Sequence, residues 1–314
     1  MASRSDFIYP NNGVPHRETN VASAPHPDVQ NSRVKIKNAV ITSQENLTDD
    51  TFLLTVKLDN GEVLNSHAGQ YGTLKVDELD KPRAFSFAKA PTSEKDGEFS
   101  FFIKQVPGGK FSEYLEKNRT GQKIILSGPM GQFKIDESKE DMVCIAGGSG
   151  MSAINAIVES AAFDKVERNC YFFYGARQQK DLYLTDEISA IEKKWAKGYK
   201  FKFIPVLSEE PEDSDWTGGR GFVTDFFKEN YLKTGIVKAD SCKAFFCGPP
   251  PMIDAGAKVL KEAGVSEESM FFDKFEDARS PAPVIDNSKC VLCDECLLVK
   301  PTADCIVETA KLGD

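Results

Sequence analysis

The chain has 314 residues, of which 40% are hydrophobic, 28% charged and 10% aromatic. That supports two domains of ordinary size with buried cores and excludes a disordered polymer. A formal net charge of −9 and a pI near 5.1 argue against nucleic acid as the main partner, because a phosphate backbone calls for a positive stripe. There is no run of about 18 apolar residues and no signal-like N-terminus, so the expectation is a soluble, cytoplasmic protein with no membrane span.

Residues 1–32 are rich in Pro, Asn and Ser without an apolar period and read as a flexible or partner-wrapped tail. They hold His16 and His26, two of the three histidines, which argues against a histidine-based catalytic or metal site. Residues 33–136 read as all-β. The runs VKIKNAVITSQ, TFLLTVKL, YGTLKV, RAFSFA, EFSFFIKQV and KIILSGPMG are β-branched or aromatic. Turn signals such as Asp59-Asn60-Gly61, Asp96-Gly97 and Pro107-Gly108-Gly109 separate them. Six such strands predict a small barrel or sandwich.

The rhythm changes over residues 137–276. MVCIAGG is an apolar strand ending in glycines. Ile154, Ile157, Val158 and Ala161 then recur at the i, i+3, i+4, i+7 spacing of an amphipathic helix. CYFFYGAR, FKFIPVLS and KAFFCGPP are further apolar strands. The segments around LTDEISAIEKKW, GFVTDFFKENYL and MIDAGAKVLKEAG between and after them are helix-like. This alternation predicts a parallel sheet with helices on both faces, so the fold class is multidomain α+β: an antiparallel domain followed by an α/β domain. Residues 277–314 form a Pro-containing linker, DARSPAPVIDNS, and a cysteine-rich end.

Cysteine placement says more than cysteine number. Cys144, Cys170, Cys242 and Cys247 sit singly, whereas Cys290, Cys293, Cys296 and Cys305 crowd into one short stretch. Such clustering suits a reducing compartment and a metal or iron–sulfur site better than a secreted disulfide framework. Three thiolates at C-x2-C-x2-C spacing can close around one metal centre.

A strand, then Gly147-Gly148-Ser149-Gly150, then a helix is a phosphate-binding geometry. Backbone N–H groups at the helix start can approach a pyrophosphate without side chains in the way, and the helix dipole favours the anion. Glycine turns also open helices for packing reasons, so further motifs are needed. They are Arg83-Ala84-Phe85-Ser86, Gly108-Gly109-Lys110-Phe111-Ser112, Tyr174-Gly175-Ala176-Arg177 with Asp181-Leu182, and Cys247-Gly248-Pro249-Pro250-Pro251-Met252. In this order, over roughly residues 35–276, they resemble the ferredoxin–NAD(P) reductase superfamily. Within it, they resemble the NADH-dependent reductases of bacterial multicomponent oxygenases.

The resemblance implies a flavin-binding antiparallel β-barrel, an NAD(P)-binding α/β domain and a small C-terminal iron–sulfur segment. In it, Arg83 pairs with the FAD pyrophosphate, with Ala84 beside it on the same strand. Phe85 stacks on the flavin, and Ser86 hydrogen-bonds near its reactive nitrogen. The turn Gly108, Gly109, Lys110, Phe111 and Ser112 holds the remaining phosphate oxygens through backbone N–H groups and the Ser112 hydroxyl. Taken alone, RAFS is an ordinary strand with a surface arginine.

Gly147, Gly148, Ser149 and Gly150 hold the dinucleotide pyrophosphate in this scheme. Met151, Ser152 and Ala153 follow where relatives often have a proline. Cys247, Gly248 and Pro249, with Met252, form the turn where nicotinamide meets flavin, and Cys247 packs there as a small buried thiol and not as a nucleophile. Phe275 occupies the place of an aromatic over the flavin, or is a domain-closing core residue, and Glu276 joins the same constellation. Gly175 and Arg177 neighbour the adenosine ribose. One arginine is an incomplete signal for a 2′-phosphate, so NADH is expected over NADPH.

The run KCVLCDECLLVKPTADCIVE looks like half of a bacterial ferredoxin, with Lys300 where a fourth cysteine would precede Pro301. The fourth ligand beside Cys290, Cys293 and Cys296 is then Cys305. A [4Fe–4S] cluster is preferred, [2Fe–2S] stays open, and a structural four-thiolate zinc site is the alternative. NAD(P)H gives up two electrons together and a cluster takes one, so a flavin belongs between them.

The expected function is therefore transfer of electrons from NADH through FAD and the cluster to a protein acceptor. That acceptor is an oxygenase component or the ferredoxin that feeds one. The alternatives are a flavin and iron–sulfur subunit of a larger dehydrogenase or anaerobic reductase, and a non-enzymatic nucleotide-binding module with a zinc-stapled tail.

Overall fold

A computed structural model describes residues 34–91 and 97–274. The N-terminal tail, Phe275, Glu276 and the cysteines Cys290, Cys293, Cys296 and Cys305 lie outside the described residues. Six strands make the first layer: β1 (Lys35–Thr48), β2 (Thr51–Leu58), β3 (Tyr71–Lys75), β4 (Arg83–Ser86), β5 (Glu98–Lys104) and β6 (Lys123–Met130). Along β2, Leu54, Val56 and Leu58 are buried and Thr55 and Lys57 are not, the period of two that one buried face requires. All pairings are antiparallel, in the order β4-β3-β6-β1-β2-β5.

The first layer is a nearly closed barrel and not a sandwich, because the two end strands meet. The Ala88 N–H, just after β4, donates to the Ser100 carbonyl of β5 at 2.8 Å. Register shifts between Ile41 and Ser43 and between Asn46 and Thr48 bend the long β1 around it. Ile41, Leu54, Leu74, Phe101 and Leu126 are fully excluded from solvent inside, and each contributes about 1.5–3 kcal/mol by burial. A short helix, α1 (Lys110–Tyr114), lies between β5 and β6.

The second layer is a parallel sheet of β7 (Asp141–Gly147), β8 (Cys170–Ala176), β9 (Phe201–Leu207), β10 (Gly219–Arg220), β11 (Cys242–Gly248) and β12 (Met270–Lys274). Its order is β10-β9-β8-β7-β11-β12. β7 reads as a continuous apolar run because both its faces are covered: Met142, Cys144 and Ala146 belong to one core, Val143 and Ile145 to the other. α2 (Met151–Phe163) follows β7, α3 (Thr185–Ser189) follows β8, α4 (Val223–Phe227) follows β10, and α5 (Pro250–Glu262) follows β11. The strand order reverses between β7 and β11, and their carboxyl ends open one crevice, the place where such sheets bind ligands.

The structure departs from the expected pattern at α2. The spacing predicts one apolar stripe, yet every residue from Met151 to Val158 is buried. One face packs on the sheet, and the other is covered by the barrel. Asn155 Nδ2 donates to the Ala88 carbonyl at 2.8 Å, and the Phe102 N–H donates to Ser152 Oγ at 3.2 Å. The Glu159 carboxylate accepts from the Ala90 N–H at 3.0 Å and pairs with Lys89 at 3.2 Å. The helix that begins at the glycine turn is thus fastened to the segment Ala88–Ala90 that follows RAFS and to Phe102 of β5.

Asn155→Ala leaves the buried Ala88 carbonyl without this donor. It is expected to lower unfolding free energy by about 1–3 kcal/mol, measured by urea denaturation of the flavin-loaded protein.

Candidate functional site

Two glycine turns meet in the crevice. β7 ends at Gly147, a single turn of Gly148–Gly150 follows, and α2 starts at Met151. β11 ends at Gly248, and Pro249 precedes α5, which starts at Pro250. The two turns touch backbone to backbone: a Cβ on Gly150 would lie 2.1 Å from the Cys247 carbonyl oxygen and 2.6 Å from the Gly248 nitrogen. A Cβ on Gly147 would lie 2.6 Å from the Met252 sulfur, so Met252 packs onto the glycine turn. Gly148 has φ +55, and its carbonyl accepts from the Tyr183 hydroxyl at 3.1 Å. Gly150 is therefore a close-approach glycine, and Gly148 a conformational one.

The barrel brings its two motifs together as well. β4 is the end strand of its sheet, and Phe85 packs on Phe111 of α1 with ring centroids 5.1 Å apart. Arg83 is partly exposed, donating to the Pro82 carbonyl at 3.0 Å, and Ala84 is exposed. Gly108 takes φ +74, and Gly109 precedes α1, whose first residue Lys110 lies 3.9 Å from Asp80. The Ser112 hydroxyl donates to the Gly109 carbonyl at 2.8 Å and accepts from the Val106 N–H at 3.3 Å. Being buried, it shapes its own turn and does not face outward.

One group joins the two layers. The Ser86 hydroxyl of β4 donates to Asp273 Oδ2 at 3.1 Å, and the Cys247 thiol lies 3.6 Å from the same oxygen. Asp273 stands beside Cys247 in the register of β11 and β12. Burial pushes the Cys247 thiol well above its ordinary value, and the neighbouring carboxylate pushes it the same way, so it stays a neutral donor. Burial also raises the Asp273 carboxyl, against the opposing hydrogen bonds from Ser86 and Cys247. Beside them a cavity of about 340 Å³ is lined by Tyr71, Gly131, Phe271, Phe272 and Asp273, among others.

Residues 38–135 match the oxidoreductase FAD-binding domain, and residues 144–258 match the oxidoreductase NAD-binding domain. The xylene/toluene monooxygenase electron transfer component of Pseudomonas putida is 41% identical over 239 residues, covering 76% of this chain and 65% of that protein. The phenol 2-monooxygenase reductase component of Pseudomonas sp. (strain CF600) is 31% identical over 258 residues, covering 82% of this chain and 70% of that protein. The chain belongs to the family of bacterial oxygenase reductase components.

This is a family of NAD(P)H-dependent flavoprotein oxidoreductases. The chain spans 65% of the length of the xylene/toluene relative. The ferredoxin reductase in carbazole 1,9a-dioxygenase superposes with a TM-score of 0.67 at 29% identity, covering 77% of this chain and 70% of that one.

The residues of the reductase fit both groups its family binds. The Arg83 guanidinium and the Lys110 ammonium place two cationic side chains on β4 and α1, a charge that suits the phosphates of a flavin dinucleotide. The turn at Gly147–Gly150, whose one side chain is that of Ser149, leaves room for a phosphate group to approach the backbone. A Cβ on Gly175 would lie 2.9 Å from Val223, so the bareness of Gly175 lets α4 pack on β8. Arg177 is exposed and pairs with Glu209 at 3.8 Å. Cys144, Cys170, Cys242 and Cys247 are all buried and unbridged. Among the described residues no group of three or more His, Cys, Asp or Glu side chains could hold a metal.

Asp273, Asn155, Glu159 and Tyr183 are the residues that sequence reasoning missed. The signal for Asp273 was present, an acidic residue closing the apolar run MFF. Only the pairing of β12 with β11 shows what it faces.

A raised carboxyl contributes its full stability below the ordinary carboxylate value and loses it as pH rises through the raised one. Asp273→Asn removes that loss. The stability difference is expected to shift in favour of the variant between about pH 4 and about pH 7, read by denaturant unfolding at both values.

Proposed function

We propose that this reductase oxidises NADH and passes the electrons singly, through FAD and an iron–sulfur cluster held by Cys290, Cys293, Cys296 and Cys305, to a protein acceptor. By likeness to the relatives, that acceptor is an oxygenase component or the ferredoxin that feeds one. The observation that carries this reading is the Ser86–Asp273–Cys247 contact. It joins the RAFS strand of the barrel to the C-G-P turn of the parallel sheet at the mouth of the crevice.

FAD, when bound, takes up two electrons together and releases them one at a time. The chain supplies the placement. Arg83, Lys110 and the first turn of α1 hold the flavin phosphates, and Gly147–Gly150 receives the dinucleotide. Cys247 and Gly248 form a turn with no side chain beyond a small neutral thiol to keep the rings apart. Ser86 and Asp273 keep polar atoms at the meeting point inside an otherwise apolar junction. Among the described residues no helix is long and apolar enough to cross a membrane.

The preference for NADH rests on charge at the end of β8. Arg177 is matched by Glu209, and the loop after β9 carries Glu209, Glu210, Glu212, Asp213 and Asp215. Hydrogen bonds from the Gln179 side chain and backbone hold the Glu210 carboxyl below the usual carboxylate range. A ribose diol is compatible with such a border, whereas a 2′-phosphate meets like charge. Glu209→Lys is expected to raise the ratio of kcat/KM for NADPH to that for NADH by about tenfold or more, measured by steady-state ferricyanide reduction.

The cluster is tested by iron and sulfide content per flavin in anaerobically purified full-length protein. Four irons identify [4Fe–4S] and two identify [2Fe–2S], whereas zinc without sulfide overturns the cluster. Truncation after Ser280, ahead of the cysteine-rich end, is expected to keep NADH-to-ferricyanide activity and abolish reduction of a one-electron protein acceptor. Full-rate reduction of that acceptor by the truncated protein would refute the proposed order.

A further inference from the structure

Three parts of the molecule meet on one buried side chain, that of Tyr183. Its hydroxyl donates to the Gly148 carbonyl of the glycine turn at 3.1 Å. Its ring packs edge-on against Phe102 of β5, with centroids 5.4 Å apart, and against Tyr174 of β8, with centroids 5.7 Å apart. The Tyr174 hydroxyl donates to the Asp181 carbonyl at 3.3 Å and so anchors the segment that carries Tyr183. Burial pushes the Tyr183 hydroxyl well above its ordinary value, so it keeps its proton and acts as a donor.

The backbone is strained at the next position. Leu184 has φ +56, a left-handed conformation that is costly for a residue with a Cβ, and α3 starts immediately after it. The chain thus reverses sharply between a tyrosine held in the core and the first turn of a helix. A phenylalanine would fill the same ring contacts, so the hydroxyl answers to the turn and not to the core. There the Gly148 carbonyl accepts twice, from Tyr183 and from the Met151 N–H that opens α2.

A trans peptide is planar, with its C=O and N–H on opposite sides. Fixing the Gly148 carbonyl toward Tyr183 therefore aims the Ser149 N–H the other way, toward the start of α2, where helix N–H groups point. Gly148 is half-buried and has φ +55, so its peptide has little else to hold it. Rotated, that peptide would offer an anion a carbonyl oxygen in place of an N–H. We propose that Tyr183 is a positioning residue for the dinucleotide. Its hydroxyl locks the Gly148–Ser149 peptide with the N–H toward the pyrophosphate, and its ring ties that setting to the barrel through Phe102. This rests on the reading of Gly147–Gly150 as the pyrophosphate turn. Tyr183 acts through the turn and not on the reacting atoms, so it governs affinity and leaves the chemical step alone.

The test uses the full chain with flavin bound and ADP-ribose as the probe, titrated calorimetrically beside steady-state NADH-to-ferricyanide kinetics. Tyr183→Phe keeps the ring and removes the hydroxyl. It is expected to weaken ADP-ribose binding and raise KM for NADH by about three- to tenfold, the range of one hydrogen bond, with kcat within about twofold and flavin content unaltered. A hydroxyl with a purely structural role would lower stability to urea and leave the affinity where it was. Gly148→Ala disturbs the same peptide from its other end: the new Cβ would meet nothing closer than 3.9 Å, so the positive φ is its cost. It is expected to weaken ADP-ribose binding by a similar factor, and adding Tyr183→Phe to it is expected to cost less than about twofold more.

If Tyr183→Phe binds ADP-ribose with unaltered affinity, or if the losses of the two variants multiply in full, Tyr183 does not position the turn. Unaltered affinity in Gly148→Ala overturns the proposal equally, whether or not Tyr183→Phe folds. An unaltered protein that fails to bind ADP-ribose would instead overturn the pyrophosphate reading of the glycine turn itself.

Discussion

Everything in this molecule turns on the approach of two backbones. The end of β7 and the end of β11 lie so close that Gly150 has no room for a methyl group beside the Cys247 carbonyl. The contact exists because the order of the parallel strands reverses between these two, which makes the ends of two segments about a hundred residues apart neighbours. It leaves a bare, N–H-rich surface at the start of α2 and a buried thiol next to it. Both suit the proposed meeting of a dinucleotide with a flavin.

The junction between the layers is polar where it is buried, which is uncommon and costly unless every group is matched. Asn155, Glu159 and Ser152 on α2 meet backbone groups of the barrel, and Ser86 meets Asp273. These bonds specify one orientation of the two sheets more sharply than apolar contact would, because a sliding interface would leave buried donors and acceptors unpaired. The RAFS strand and the two glycine turns ride on elements that this junction fixes. Their mutual placement is thus a property of the interface as much as of either sheet.

The barrel was legible because its strands alternate and its turns carry glycine and asparagine. The parallel sheet was legible because β7, β8, β9 and β11 are unbroken apolar runs separated by helical segments. The stripe expected on α2 failed for a physical reason. Periodicity reports a face that stays wet, and here a second layer dries it. Gly175 and Ser112 each have a packing or turn partner that a motif does not reveal. A glycine in a motif can serve helix packing, and a serine in a phosphate turn can close the turn.

From residues alone came the order of the two domains, their strand and helix content, the two glycine turns, the RAFS strand and the four clustered cysteines. Each is a local pattern whose period or turn chemistry is written in neighbouring positions. Only the tertiary structure decided that Asp273 sits under both Ser86 and Cys247, that Asn155 bridges the layers, and that the Tyr183 hydroxyl meets the Gly148 carbonyl. Those pairings join residues 26 to 187 positions apart. Which long-range partners meet depends on sheet order and strand register, and neither is encoded in any short stretch of chain.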